Sequence, residues 1–184
     1  VLVKTLGLAW PLEPTYETII WSVRLPRVLA AGVIGFALSV CGTAMQGLFK
    51  NPLASPDILG VSSGGALGAV AGIVLGWPLV NPWLVPTAAF VGALVTLVVV
   101  YALATRDGRT DMATLLLAGV AVSSFAGAVI ALLFHFVEDG VLRQIVYWLM
   151  GNLSGKRWEH VAVMAPLVAA GSLGLWLLSR DLNL

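Results

Sequence analysis

The sequence predicts an all-α, polytopic membrane protein with five apolar spans and one short amphipathic helix. Three observations lead there. Hydrophobic residues make up 59% of the 184 residues and charged ones 10%, where a soluble domain carries about 25% charge; mean hydropathy is +0.97. The few charges are segregated, with none from Val28 to Phe49, from Ile58 to Thr105 or from Met112 to Val137. Glycine also recurs at 60, 64, 68, 72 and 76, every fourth residue. Backbone polar groups in hydrocarbon must pair within their own helix, and small residues let two such helices approach closely.

Taken in order, residues 1–23 mix Trp10, Pro11, Glu13, Pro14, Glu17 and Trp21 and read as an interfacial segment. The first span, Val28 to Phe49, and the second, Ile58 to Gly76, are near the ~20 residues that cross a bilayer at 1.5 Å per residue. Between them Ser55 suits a helix N-cap, Pro56 the first helical position and Asp57 the positive end of the helix dipole. Gly76-Trp77-Pro78 closes the second span, and Asn81-Pro82 opens the third, Trp83 to Thr105. Arg106-Asp107-Gly108-Arg109 is a tight charged turn, after which Asp111 caps the fourth span, Met112 to Phe136. Asp139 is placed to cap a short helix from Val141 to Met150, with Leu142, Ile145, Val146 and Leu149 on one face. Too short to span, that helix is expected at the interface. The fifth span is Val161 to Leu178.

Net charge is +1, so nothing points to nucleic acid or an acidic partner. Cys41, the single cysteine, lies in an apolar run and reads as a packing residue. No basic segment with a short apolar core precedes a cleavage site, so no signal peptide is expected. The opening Val-Leu-Val and the stop at Asp181-Leu182-Asn183-Leu184, straight after an apolar helix, are read as those of a piece of a longer protein.

Two motifs mislead. Gly60-Val61-Ser62-Ser63-Gly64 matches GxSxG, but a serine nucleophile needs a base beside it. Ser62 lies roughly 9 Å along its helix and His135 roughly 36 Å along a helix starting from the same side. Gly151 to Arg157 resembles a phosphate loop, but it is one residue short, follows no strand and has Arg157 where a Ser or Thr would hold magnesium. Two isolated histidines without a cysteine partner offer no metal site.

Arg24-Leu25-Pro26-Arg27, then Gly42-x-x-x-Gln46, then Asn51-Pro52-Leu53-Ala54-x-Pro56-x-x-Leu59-Gly60-Val61-Ser62-Ser63-Gly64 form a specific combination. With Leu115 to Val120, Tyr147 to Gly151 and Leu182-Asn183-Leu184, it resembles the FecCD-like permeases of ABC importers for iron-siderophore, haem and cobalamin. The resemblance implies a ten-helix fold, of which this chain resembles helices two to six. It therefore implies one transmembrane permease domain fragment over 1–184, with 1–23 extracytoplasmic or interfacial and the spans within 28–178. A multi-pass protein of the cytoplasmic (inner) membrane is implied, paired with a second permease subunit, identical or homologous. Two cytoplasmic ATPase subunits and an extracytoplasmic substrate-binding protein complete the implied importer. ATP is then used by the partner subunit, with no cofactor or metal bound by this chain and no enzymatic activity of its own.

The resemblance also implies roles. Arg24 and Arg27 would dock carboxylates of the binding protein; the alternative is arginines snorkelling to headgroups. Asn51, Pro52 and Leu53, with Met112 and Ala113 before the Leu115 run, would form the cytoplasmic gate of the pathway. Met112 is bulkier and less polar than the small hydroxyl residues expected there. Gln46, polar in an apolar helix, is read as interhelical glue or pathway lining. Gly60, Gly64, Gly68 and Gly72 are read first as packing and second as room for a bulky chelate.

Orientation draws conflicting expectations. Lys4, Arg24, Arg27, Arg143, Lys156 and Arg157 on one side outnumber Lys50, Arg106, Arg109 and Arg180 on the other, which would put the N-terminal end inside. The resemblance puts it outside, and we follow the resemblance. The function expected is import of an iron chelate by ATP-driven alternating access. Haem or cobalamin import, a secondary transporter or channel, and a non-transporting membrane scaffold are the alternatives.

Overall fold

The computed structural model describes residues 14–179. Lys4, Arg180 and the closing Leu182-Asn183-Leu184 lie outside the described residues. The elements are α1 (Pro14–Ile19), a π-helical turn (Ile20–Arg24), α2 (Leu25–Phe49), a 3-10 turn (Pro56–Leu59), α3 (Val61–Val74) and α4 (Trp77–Val80). There follow α5 (Leu84–Ala104), a hairpin of β1 (Thr105–Arg106) and β2 (Arg109–Thr110), α6 (Met112–Phe136), α7 (Asp139–Met150) and α8 (Trp158–Leu177). Among the described residues, four helical stretches are long and apolar enough to cross a membrane: Tyr16–Phe49, Leu84–Ala104, Met112–Phe136 and Trp158–Leu177.

The stretch expected as a second continuous span differs. Its central helix α3 has 14 residues, about 21 Å at 1.5 Å per residue, short of the roughly 30 Å hydrocarbon core. It is broken at Gly60, which takes φ +73° between the 3-10 turn and α3. Ser55 is extended and makes no capping bond with its side chain, although Pro56 does open the turn. Ser62, the serine of the GxSxG match, instead donates its hydroxyl to Asp57 Oδ1 across the break.

Contacts divide the chain into two compact units, Met45–Asn152 and the remainder on either side of it. The first unit is built around α3. Leu59, Val100, Ala104, Leu115 and Ala118 form one buried cluster, flanked by Met45, Phe49, Val61 and Val122. A second cluster joins Ala69, Val70, Ile73, Val85 and Ile145. Ile145 anchors α7 and is completely buried, whereas Val146 and Leu149 are exposed. The expected four-residue apolar face of α7 therefore narrows to one anchor, with Val141 packed beside it. The helix starts two residues earlier than expected, with Glu138 rather than Asp139 at the cap and Asp139 in the first turn.

α3 and α5 pack through small residues. A methyl group on Gly64 would stand 2.6 Å from Thr96 Cβ and 2.8 Å from the Gly92 carbonyl oxygen. One on Gly68 would strike the Ala88 carbonyl, and one on Gly92 the Gly64 carbonyl. The helices thus touch backbone to backbone along Gly64, Gly68, Ala88 and Gly92, with the Thr96 side chain against Gly64. Gly72, one turn on, faces the Trp77 ring and Ala88.

In the second unit Trp21 and Trp158 are held together. Leu25 N–H bonds the Ile20 carbonyl, five residues back, and Pro26 has no N–H to offer Trp21. The Trp21 carbonyl therefore lacks a helical donor, and the Trp158 indole Nε1–H supplies one at 3.0 Å. Their rings lie 5.2 Å apart, tilted by 42°. A π-turn is where a helix presents such a spare acceptor. Within α2, Ser39 and Thr43 satisfy their hydroxyls on Gly35 and Ser39 carbonyls at 2.8 and 2.9 Å, which lets polar residues sit in an apolar helix.

Candidate functional site

The gate residues expected from the sequence lie in the loop after α2 and in the first turn of α6, both within the Met45–Asn152 unit. α2 ends at Phe49, and Lys50 turns the chain with φ +47°. Asn51 N–H bonds the Gln46 carbonyl at 3.2 Å, and the Asn51 carbonyl accepts from Ala54 N–H at 3.1 Å. Asn51 Oδ1 accepts from Leu53 N–H at 2.9 Å, an Asx turn that fixes the loop by local bonds. Ala54 is buried, while Asn51, Pro52 and Leu53 are exposed, Leu53 by 86%. The loop is a stiff support presenting one apolar side chain.

Met112 and Ala113, also exposed, open α6. The 3-10 turn after the Asn51 loop lies on this helix: a methyl on Gly119 would strike the Ile58 carbonyl and stand 3.1 Å from Leu59 Cα. Gly60 completes the seat, since a side chain there would stand 2.9 Å from Ser123 Oγ and 3.0 Å from the Gly119 carbonyl oxygen. The 3-10 turn that follows the Asn51 loop is therefore seated on α6, the helix that Met112 and Ala113 open. Asp111 holds the start of α6 as expected, its Oδ2 accepting from the Thr114 N–H and hydroxyl at 2.7 Å each. The Thr114 hydroxyl, and then its N–H, hold the Asp111 carboxyl below the ordinary carboxylate range.

Arg24 and Arg27 lie at the N-terminal end of α2, Arg24 in the turn just before it. Arg24 is exposed and closes the π-turn. Arg27 is half-buried, and its Nε, buried, has no hydrogen-bond partner among the described residues. The two arginines, alike in the sequence, thus have different environments. Gln46 is exposed, and no described residue bonds its side chain across helices. Gly60, Gly64, Gly68 and Gly72 all meet neighbouring elements closely. Among the described residues no cluster of histidine, cysteine or carboxylate side chains could hold a metal.

Gly92, Thr96 and Ser123, which with Gly119 receive the glycines of the broken second stretch, were not among the site residues expected from the sequence, and Gly119 entered only as part of the Leu115 to Val120 run. Their signal was legible as small residues four apart, Ala88-x-x-x-Gly92-x-x-x-Thr96 and Gly119-x-x-x-Ser123. The run of five glycines from Gly60 to Gly76 is the more conspicuous pattern.

The profile of the FecCD transport family matches residues 4–184. The chain belongs to that family. It is 45% identical over 184 residues to the cobalamin import system permease protein BtuC of Halobacterium salinarum, covering 97% of this chain and 49% of that protein. It is 41% identical over 171 residues to the hemin transport system permease protein HmuU of Yersinia pestis, covering 90% and 50%. It is 37% identical to the vitamin B12 import system permease protein BtuC of Escherichia coli, covering 94% and 52%. Among solved structures it superposes with a TM-score of 0.85 on a metal-chelate type ABC transporter in an inward-facing conformation, at 31% identity, covering 95% of this chain and 55% of that one. The chain spans about half the length of the curated relatives it matches. As a FecCD family member with several apolar helices, it is a multi-pass membrane protein.

Proposed function

We propose that this FecCD family chain forms half of the transmembrane permease of an ABC importer for a bulky metal chelate. The observation that carries the reading is the family match running from residue 4 to residue 184. The gate is made by Asn51, Pro52 and Leu53 with Met112 and Ala113. Arg24 and Arg27 face an extracytoplasmic binding protein, and a second permease subunit forms the other wall of the pathway. ATP is hydrolysed on two separate cytoplasmic subunits, and this chain carries no cofactor. An exposed leucine and methionine at the gate suit closure against water, and the lack of a ligating cluster among the described residues suits cargo that arrives already chelated.

The iron chelate expected from the sequence is the first cargo to test. Relatives named for cobalamin and hemin support a second reading, a metal tetrapyrrole. Uptake of labelled ferric siderophore, haem and cobalamin by a strain lacking the full-length gene, with and without restoration, distinguishes them. Loss of exactly one uptake activity names the cargo. Uptake of all three unchanged overturns the import reading, and uptake driven by an ion gradient without ATP assigns the protein to secondary transport.

A further inference from the structure

The hairpin between α5 and α6 carries none of the residues assigned to the gate or to docking. Its turn residues Asp107 and Gly108 take φ +52° and +73°, the positive pair that a two-residue type I′ hairpin requires. The register sets Thr105 opposite Thr110 and Arg106 opposite Arg109. The two threonine hydroxyls meet at 2.9 Å, half-buried against the protein. Because side chains alternate along a strand, Arg106 and Arg109 share the opposite, exposed face. Like charges directly opposite one another oppose strand pairing. Among the described residues neither guanidinium has a carboxylate partner. Of the nearby acids, Asp111 is engaged in capping α6, leaving Asp107 against two arginines.

We propose that Arg106 and Arg109 form a two-guanidinium clamp for the phosphate of an anionic membrane lipid. Position selects this occupant. The hairpin follows the last residue of one candidate span and precedes the first residue of the next. Two residues per strand lift it about 7 Å, within the roughly 5–7 Å headgroup layer on each side of the hydrocarbon core. A soluble protein surface would have to enter that layer to reach it. Guanidinium forks bind phosphate oxygens in pairs, and the bound anion relieves the repulsion that the register creates. The clamp is independent of which chelate is imported, or whether one is.

The test uses the full-length permease in neutral detergent, titrated with fluorescent phosphatidylglycerol and, separately, phosphatidylcholine. Wild type is expected to prefer phosphatidylglycerol, and Arg106→Ala with Arg109→Ala to bind it roughly 25-fold more weakly, at about fivefold per arginine. Arg106→Lys with Arg109→Lys should fall between, keeping charge but losing the paired bonds. Equal phosphatidylglycerol affinity in wild type and the alanine variant overturns the clamp. So does complete displacement of the lipid by millimolar inorganic phosphate, which would make the site one for a soluble anion. Unchanged lipid preference with lost ATPase-subunit binding would assign the hairpin to a protein contact instead. Should the alanine variant fail to fold, photo-reactive phosphatidylglycerol on wild type decides: labelling within residues 105–111 supports the clamp, and labelling only elsewhere refutes it.

Discussion

Replacing Gly64 with alanine adds one methyl group at the point where α3 and α5 meet backbone to backbone. That methyl would stand 2.6 Å from Thr96 Cβ and 2.8 Å from the Gly92 carbonyl oxygen, and would also overlap Thr96 Oγ1. Carbon contacts settle near 3.5–4.0 Å, so the helices must part by about 1 Å. Thr96, buried and β-branched, has little rotamer freedom to yield. Overpacking of this kind costs about 1–3 kcal/mol, while replacing glycine by alanine in a helix returns up to about 1 kcal/mol. The net expectation is a loss of about 1 kcal/mol, within a span of roughly 0–2 kcal/mol. Gly65→Ala is the matched control: same helix, same propensity gain, but nearest contacts at 3.4 and 3.7 Å. Thermal unfolding of the full-length permease in detergent should rank Gly64→Ala below wild type and Gly65→Ala at or above it. If the two variants melt together, the glycine ridge is not a close-packing device and the reasoning fails.

Other perturbations have equally direct readouts. Trp158→Phe keeps an aromatic ring but removes the pyrrole N–H that donates to the Trp21 carbonyl, a bond worth about 1 kcal/mol, and should lower the melting midpoint; no change would mean water or another donor serves that carbonyl. Asp111 has a folded pKa below its ordinary 3.8, so its cap contributes stability above that value and loses it as pH falls through the lower folded pKa; an Asp111→Asn variant should flatten the acid limb of a pH–stability profile measured in detergent. Arg24→Glu should weaken association with the binding protein and reduce its salt dependence, since rim charges govern encounter; unchanged binding at low and high salt would remove the docking role. Asn51→Ala frees Leu53 N–H from its side-chain acceptor and should raise passive leak or lower coupled uptake in vesicles; a variant equal to wild type in both counts against the gate.

The sequence by itself determined that this chain is helical and membrane-embedded, because charge segregation and run length answer to the thickness and dielectric of a bilayer. Local chemistry was equally legible: Asp111 ahead of Met112, or Asp107-Gly108 between two apolar helices, dictates a cap or a turn within a few residues. The combination from Arg24 to Gly64 is specific enough to indicate the family from sequence. Only the tertiary structure decided that the second apolar stretch breaks at Gly60, where the backbone is left-handed and Gly119 and Ser123, some sixty residues away in sequence, leave little room for a side chain. The partners of the glycine ridge, the donor for Trp21 and the different surroundings of Arg24 and Arg27 were settled there too. Each depends on which distant backbone comes close, and periodicity along one helix holds no information about the helix opposite.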